Sequence, residues 1–273
     1  LLNPSTASRT ALATSLMRAV HSRSDPAPLL ADTWGDRLVP EQAQAAFRQL
    51  AMASAQEAPR GSMPDAGHCL DLALRSNAAY ADVILRSRYT EDALKQAVAH
   101  GIGQYVIIGA GFDSFILRRP SWAEGIAIIE VDHPATQRMK RERMAACGAA
   151  ASGSVQFVEA DLALETLGSA LRRSSFQADR PAFFSWLGVT MYLTRQANLS
   201  ALQSIAHCAA AGSELVFTYV DQAVFDTGHP SDAAFAKLKA EVSTAGEAFL
   251  SGFDPATLGD VLLDEAAMEL GTD

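Results

Sequence analysis

The chain predicts an α/β fold, a doubly wound, mostly parallel sheet with an N-terminal helical cap. Three observations predict it. From Gln104 onward, short apolar runs alternate with helical stretches, the pattern of parallel strands whose crossover helices cover both faces. The first run, Tyr105 to Ile108, meets Gly109-Ala110-Gly111, and the second, Ile126 to Ile129, ends in the acids Glu130 and Asp132. Ahead of Gln104 the apolar residues recur at helical spacing instead.

Residues 1–100 are expected to form the cap and 101–273 the α/β core. In the cap, Ala11, Leu12, Leu16, Ala19 and Val20 fall on a helical face that Asp25-Pro26-Ala27-Pro28 stops. Gln42 to Gln56 is rich in alanine and glutamine, both good helix formers. Pro59 to Pro64 predicts a loop, His68 to Arg86 a helix, and Glu91 to His100 another, with Thr90 as its capping hydroxyl. Expected strands are Tyr105–Ile108, Ile126–Val131, Val155–Val158, Ala182–Trp186 and Glu214–Tyr219. Expected helices between them are Ala135–Cys147, Ala163–Arg172 and Arg195–Ala210. The tail from Asp221 predicts helices punctuated by Pro230 and Pro255, and residues 268–273 could at most begin a further strand.

Right-handed crossovers place ligands at the carboxyl ends of parallel strands. Gly109, Asp132, Asp161 and Leu187 each fall at or just past such an end. The dinucleotide fingerprint wants a third glycine, and Ser114 stands in its place. A nucleoside ligand without phosphates needs less: room at the glycines and an acid for the ribose. S-adenosyl-L-methionine meets that description.

Composition narrows the class. The 273 residues are 49% hydrophobic, ample for a core, and carry a net charge of −9. Such a balance counts against nonspecific nucleic-acid binding, which works by neutralising phosphates. Three dispersed cysteines without a C-x-x-C predict neither a zinc site nor a disulfide framework, and fit a reduced, cytoplasmic compartment. No apolar run approaches the roughly 18 residues of a membrane span. The first 25 residues include Arg9, Arg18 and Arg23 but no continuous apolar core, so no secretory signal is expected. His21, His68, His100, His207 and His229 are scattered and suggest no metal site.

Four segments carry a resemblance: Ser8 to Thr14 with Arg18-Ala19, Arg86 to Asp92, Ile108 to Ser114 followed by Glu130-Val131-Asp132-His133-Pro134, and Trp186 to Thr194. On these the chain resembles the leucine carboxyl methyltransferase family of class I, Rossmann-like methyltransferases, above all its bacterial polyketide-type O-methyltransferase branch. The resemblance implies S-adenosyl-L-methionine as cofactor and a small-molecule methyl acceptor. It implies that Arg86 pairs with the methionine carboxylate, with Arg88 as competitor, and that Gly109 and Gly111 lie under the cofactor. Asp132 would take the ribose, and Asp161 with Leu162 would contact the adenine. Eukaryotic members carry a glutamate where Leu187 stands, which counts against a protein phosphatase substrate.

Other readings stay open at this level. An NAD-dependent oxidoreductase and a cofactor-binding module without turnover are the alternatives. Alternation along a strand puts Glu130 on the same face as Asp132, so both are expected to line the site. His133, Tyr192 and Tyr219 lie near strand ends as possible bases, and none is singled out. Arg9 is expected to reach toward the cofactor carboxylate or an acidic substrate. Arg138 to Arg143 reads as a solvated helix face.

Overall fold

The computed structural model describes residues 8–56, 65–151, 153–162, 164–225, 233–244 and 246–266. The expected loop at 59–64, Pro230, and residues 268–273 lie outside them. Five helices come first: α1 (Arg9–Ser24), α2 (Gly35–Leu38), α3 (Glu41–Gln56), α4 (Ala66–Arg75) and α5 (Tyr80–Ala99). The sheet strands are β1 (Gln104–Ile108), β2 (Ala127–Asp132), β3 (Val155–Glu159), β4 (Phe183–Trp186) and β5 (Glu214–Phe217). Between and after them run α6 (Pro134–Ala146), α7 (Leu167–Leu171), α8 (Arg195–Cys208), α9 (Ala233–Thr244) and α10 (Leu258–Ala266).

All five strands are parallel, in the order β3-β2-β1-β4-β5. The strand order reverses between β1 and β4, which is where doubly wound sheets open a crevice. Alternation assigns the two faces. Tyr105, Ile107, Ile128 and Phe183 pack with buried residues of α1, α4 and α5, including Leu16, Leu74, Ile84 and Leu94. Val106, Ile108, Ile129, Val131, Phe184 and Trp186 pack with Leu171, Leu202, Ile205 and Leu262 of α7, α8 and α10. The N-terminal helices therefore share one hydrophobic core with the sheet.

Three expected element boundaries need correction. The cap breaks at Ser76–Asn77 rather than near Thr90. The Asn77 side chain accepts from the Ala79 N–H (2.9 Å), a local turn that competes with helix. From Tyr80 onward nothing interrupts the helix, so Arg86 and Thr90 both lie inside α5, where the Thr90 hydroxyl donates to the Arg86 carbonyl (2.7 Å). The helix expected at Ala163–Arg172 shrinks to Leu167–Leu171, because Thr166 caps it by accepting from the Ser169 N–H (3.2 Å). β5 stops at Phe217, short of Tyr219.

The stretch Arg138 to Arg143 is not uniformly solvated. Lys140 is buried at 1% exposure, and its Nζ donates to both carboxylate oxygens of Glu130 at 2.7 Å. Glu130 has no exposed surface and so does not line the site beside Asp132. Gln137, also on α6, donates to the Glu130 carbonyl (3.0 Å). A buried carboxylate needs a charge partner, and α6 supplies it two turns or so into its length. Burial pushes Glu130 up to about 7, against the opposing pull of Lys140.

Candidate functional site

At the end of β1, Gly109 turns the chain with φ +67°, a left-handed value that side chains disfavour. Its N–H donates back to the Val131 carbonyl (2.8 Å), so the turn closes over the end of β2. A Cβ there would meet the Val189 side chain at 2.6 Å, which ties the turn to the segment after β4. Two residues on, the Gly111 N–H donates to the Asp132 carboxylate (2.6 Å), and the His133 N–H reaches its other oxygen (2.7 Å). Burial raises the Asp132 pKa, and those two amides oppose the rise. A carboxylate offers about four acceptor positions, so roughly two remain for other donors.

Beyond Asp132, the His133 ring caps α6 by accepting from the Ala135 N–H (3.3 Å). Its far nitrogen lies 4.0 Å from the Asp161 carboxylate, which begins the turn after β3. Asp161 is therefore beside Asp132, because the Ala160 N–H pairs with the Asp132 carbonyl (2.8 Å). Leu162 follows, about a third exposed. The ends of β1, β2 and β3 thus bring Gly109, Gly111, Asp132, Asp161 and Leu162 into one row.

Arg86 reaches the other side of the crevice. Its guanidinium lies against the backbone of Gly188, just past β4, where an added Cβ would stand 2.6 Å from its Nη2. Asp82, one helical turn earlier, is its ion-pair partner among the described residues (2.7 Å). The Arg86 side chain is 15% exposed and the Asp82 side chain 55%, so the cation is buried more deeply than its anion. Burial lowers the Arg86 pKa and Asp82 offsets part of it. Arg88, two residues along α5, points to the surface, where it pairs with Asp92 and donates to the Leu29 carbonyl (3.4 Å).

The cap closes over this row. Ala11 of α1 sits above Gly111, its Cβ 3.2 Å from the position a Gly111 Cβ would take. Arg18, buried at 6%, donates to the Phe112 carbonyl (2.6 Å) and to Asp32 (3.0 Å). Burial alone would push Asp32 up, but Arg18 and Arg118 outweigh it and hold its carboxyl below the usual range. Ser114 accepts from Arg118 (2.8 Å), and Arg118 pairs with Glu91 of α5 (2.5 Å). The serine in the third glycine's place therefore anchors the turn to the helix that carries Arg86. Arg9 donates through its backbone N–H to Glu247 (2.8 Å), and its side chain is exposed.

Past β4, Tyr192 lies beside Thr10, Glu247 and Arg86. Burial lifts its phenol above the usual range, although Thr10 and Arg86 pull the other way. Burial with Asp221 raises Tyr219 likewise. A phenol that holds its proton more tightly stays neutral, with one O–H to donate and no phenolate to act as base. Among the described residues no group of three or more metal-ligating side chains occurs. No helix among them is long and apolar enough to cross a membrane. Cys69, Cys147 and Cys208 form no disulfide among the described residues.

Sequence reasoning met Gly188 and Arg18 only inside matching segments and gave them no role, and it missed Asp32 and Glu247. Gly188 follows a strand and could have been flagged by that alone. Asp32 and Glu247 carry no local signal, since each is defined by a partner distant along the chain.

Comparison with known proteins bears on this arrangement. A family model described as leucine carboxyl methyltransferase matches residues 11–206. A Bacillus subtilis (strain 168) protein named "Putative S-adenosyl-L-methionine-dependent methyltransferase YktD" is 34% identical over 142 residues, 52% of this chain and 46% of its own length. A relative from Mycolicibacterium smegmatis, named in similar terms, is 28% identical over 219 residues, 80% of this chain and 69% of its own. The chain spans about half the length of the first of these relatives. A solved structure from Thermobifida fusca YX, described as a "putative methyltransferase", aligns over 81% of this chain and 79% of its own with a TM-score of 0.52 at 18% identity. That likeness concerns the fold, a class I Rossmann-like α/β arrangement.

Proposed function

The chain belongs to the leucine carboxyl methyltransferase family, and from that membership we propose that it is an S-adenosyl-L-methionine-dependent O-methyltransferase. The acceptor in this reading is a carboxylate or hydroxyl oxygen of a small molecule. One observation carries it: a partly satisfied carboxylate at the end of β2 and a guanidinium from α5, buried more deeply than its partner Asp82 and lying against the turn after β4, flank the switch point. Those are the groups that a ribose at one end and an amino-acid carboxylate at the other require.

The residues fit the cofactor. Asp132 has acceptor positions left for ribose hydroxyls after its two backbone bonds. Arg86 can bind a carboxylate through two parallel bonds, because both groups are planar. Gly109 and Gly111 would lie under the ligand, Asp161 would accept from the adenine amine, and the Leu162 backbone amide would donate to a ring nitrogen. When bound, S-adenosyl-L-methionine supplies an already activated, positively charged methyl donor. The chain's own work is then to hold an acceptor oxygen in line at near-attack distance. The helices of residues 1–100 would exclude water and shape the acceptor's pocket.

The state of the nearby titratable groups narrows the acceptor. His133 is engaged at the α6 cap, and burial keeps Tyr192 and Tyr219 protonated, so that neither offers a phenolate as base. A carboxylate, or a hydroxyl acidic enough to ionise unaided, needs no base from the protein. The net charge of −9 and the dispersed cysteines, none in a disulfide among the described residues, suit a cytoplasmic enzyme acting on a metabolite rather than on nucleic acid.

Titration calorimetry with S-adenosyl-L-methionine and with NAD tests the cofactor. Heat with the first and none with the second is expected, and the reverse sinks the reading in favour of an oxidoreductase. Incubation with methyl-labelled cofactor and a metabolite extract, followed by mass analysis, tests turnover. Binding without any labelled product would leave a cofactor-binding module.

A further inference from the structure

Helix α1 has two N-terminal caps, and the second comes from the far end of the chain. Ser8 caps it locally by accepting from the Ala11 N–H (3.1 Å). The Glu247 carboxylate, 238 residues from Arg9, also accepts from the Arg9 N–H (2.8 Å) and the Thr10 N–H (3.2 Å). It accepts as well from the Ser8 hydroxyl (3.2 Å) and from the Thr10 hydroxyl. Glu247 is 7% exposed. An anion buried against a helix N-terminus is favoured by the unpaired amides and by the helix dipole. A helix start leaves four amides unpaired, but a buried partner drawn from so far along the chain calls for a reason beyond satisfying them.

Position supplies that reason. The turn of α1 that Glu247 grips includes Thr10, next to Tyr192, and precedes Ala11, which covers Gly111. Glu247 is itself fixed to the segment after β4. Its N–H donates to the Val242 carbonyl (2.9 Å), and three residues later the Leu250 N–H donates to the Met191 carbonyl (2.7 Å). One carboxylate thus joins the roof above the glycine turn to the wall beside Gly188. A ligand lying from Asp132 to Arg86 passes beneath that joint. Farther along, α1 is pinned independently by Arg18 to Phe112 and Asp32. Release of Glu247 therefore frees the first turn while the rest of the helix stays seated.

We propose that Glu247 is a positioning residue that latches the first turn of α1 over the cofactor cleft and so sets the rate at which the cofactor and its product leave. The idea rests on the methyltransferase reading for its kinetic consequence, but the latch itself is a property of the chain without ligand. The test uses the full chain with Glu247→Gln, Glu247→Asp and Thr10→Val.

Hydrogen exchange on the ligand-free protein comes first. Exchange at residues 9–14 should quicken about tenfold in Glu247→Gln, the size of a lost charged hydrogen bond, while β1 amides keep their wild-type rate. Glu247→Asp should recover part of the protection and Thr10→Val should lose part of it. Unchanged exchange at 9–14, or acceleration that spreads equally to β1, would overturn the latch. Stopped-flow release of S-adenosyl-L-homocysteine comes second. Faster release in Glu247→Gln, with KM for the cofactor raised and kcat held or increased, is expected, and equal release rates in both proteins overturn the kinetic claim. If the wild type binds no such nucleoside, the methyltransferase reading fails, while the exchange result still decides the latch.

Discussion

The two ends of the cleft are assembled in different ways. The end proposed to hold the nucleoside is almost one continuous stretch, Gly109 to Asp132, extended by Asp161 from the next strand. The other end gathers Thr10, Arg86, Gly188, Tyr192 and Glu247 from widely separated segments. The first is stiffened from beneath by buried groups: Asp132 holds two amides, and Glu130 and Lys140 lock α6 to β2. The second is held by side chains that reach across elements, such as Glu247 to the start of α1. The difference teaches that one end of such a cleft can be written as a local motif, whereas the other depends on how the whole chain comes together.

Four experiments would break or sharpen that contrast. The largest effect is expected under the nucleoside end. Lys140→Met leaves Glu130 buried and uncompensated, and should cost about 3–5 kcal/mol in chemical denaturation. Adding Glu130→Gln should recover most of that loss, and a mild single-variant phenotype would show that the end is not stiffened from below. The same glutamate gives a pH signature. Its folded pKa of about 7 lies above its ordinary value, so the fold holds this proton more tightly than the unfolded chain does. Its favourable contribution is complete below the ordinary carboxylate range and fades as pH climbs through about 7. Thermal melts at pH 6 and 8 should show the decline, and Glu130→Gln should flatten it.

Next in size is Asp132→Asn. Losing a charged acceptor at the ribose should weaken S-adenosyl-L-methionine binding on the order of 100-fold by calorimetry. A loss much smaller than that would move the ribose elsewhere. Arg86→Lys comes third. Lysine keeps the charge but not the planar fork, so cofactor KM should rise about tenfold. Gly188→Ala should act in the same direction, because its Cβ would displace the guanidinium. The smallest effect is expected at Tyr192→Phe: cofactor affinity within about threefold, since only a neutral hydroxyl is removed, and a rate profile without a new ionisation. A strong loss of rate with an altered pH profile would make the phenol part of the chemistry.

Legibility followed the same division. Periodicity in the sequence exposed the strand and helix alternation, and the glycine turn with Asp132 stood in one readable line. Asp161 followed from the end of the third strand, and Leu162 from the resemblance. Arg86 came from resemblance rather than from any local pattern. Alternation put Glu130 and Asp132 on one face, which is true of the backbone but not of their surroundings. The difference lies in Lys140, whose partner cannot be known until α6 folds back on β2. Thr90 misled because a hydroxyl before two acids is also compatible with mid-helix, where it bonds the carbonyl four residues back. Glu247 was invisible for the reason that makes it interesting: every group it holds is at the opposite end of the chain.

Ser114 bears on how such a protein can change over time. A glycine there would complete the dinucleotide fingerprint, but it would also remove the oxygen that steadies Arg118, and with it the tether to Glu91 on α5. Ligand choice and loop anchorage are thereby inherited as a block. A lineage drifting toward dinucleotides would first have to acquire a substitute anchor, and that ordering is a form of epistasis written into one hydroxyl.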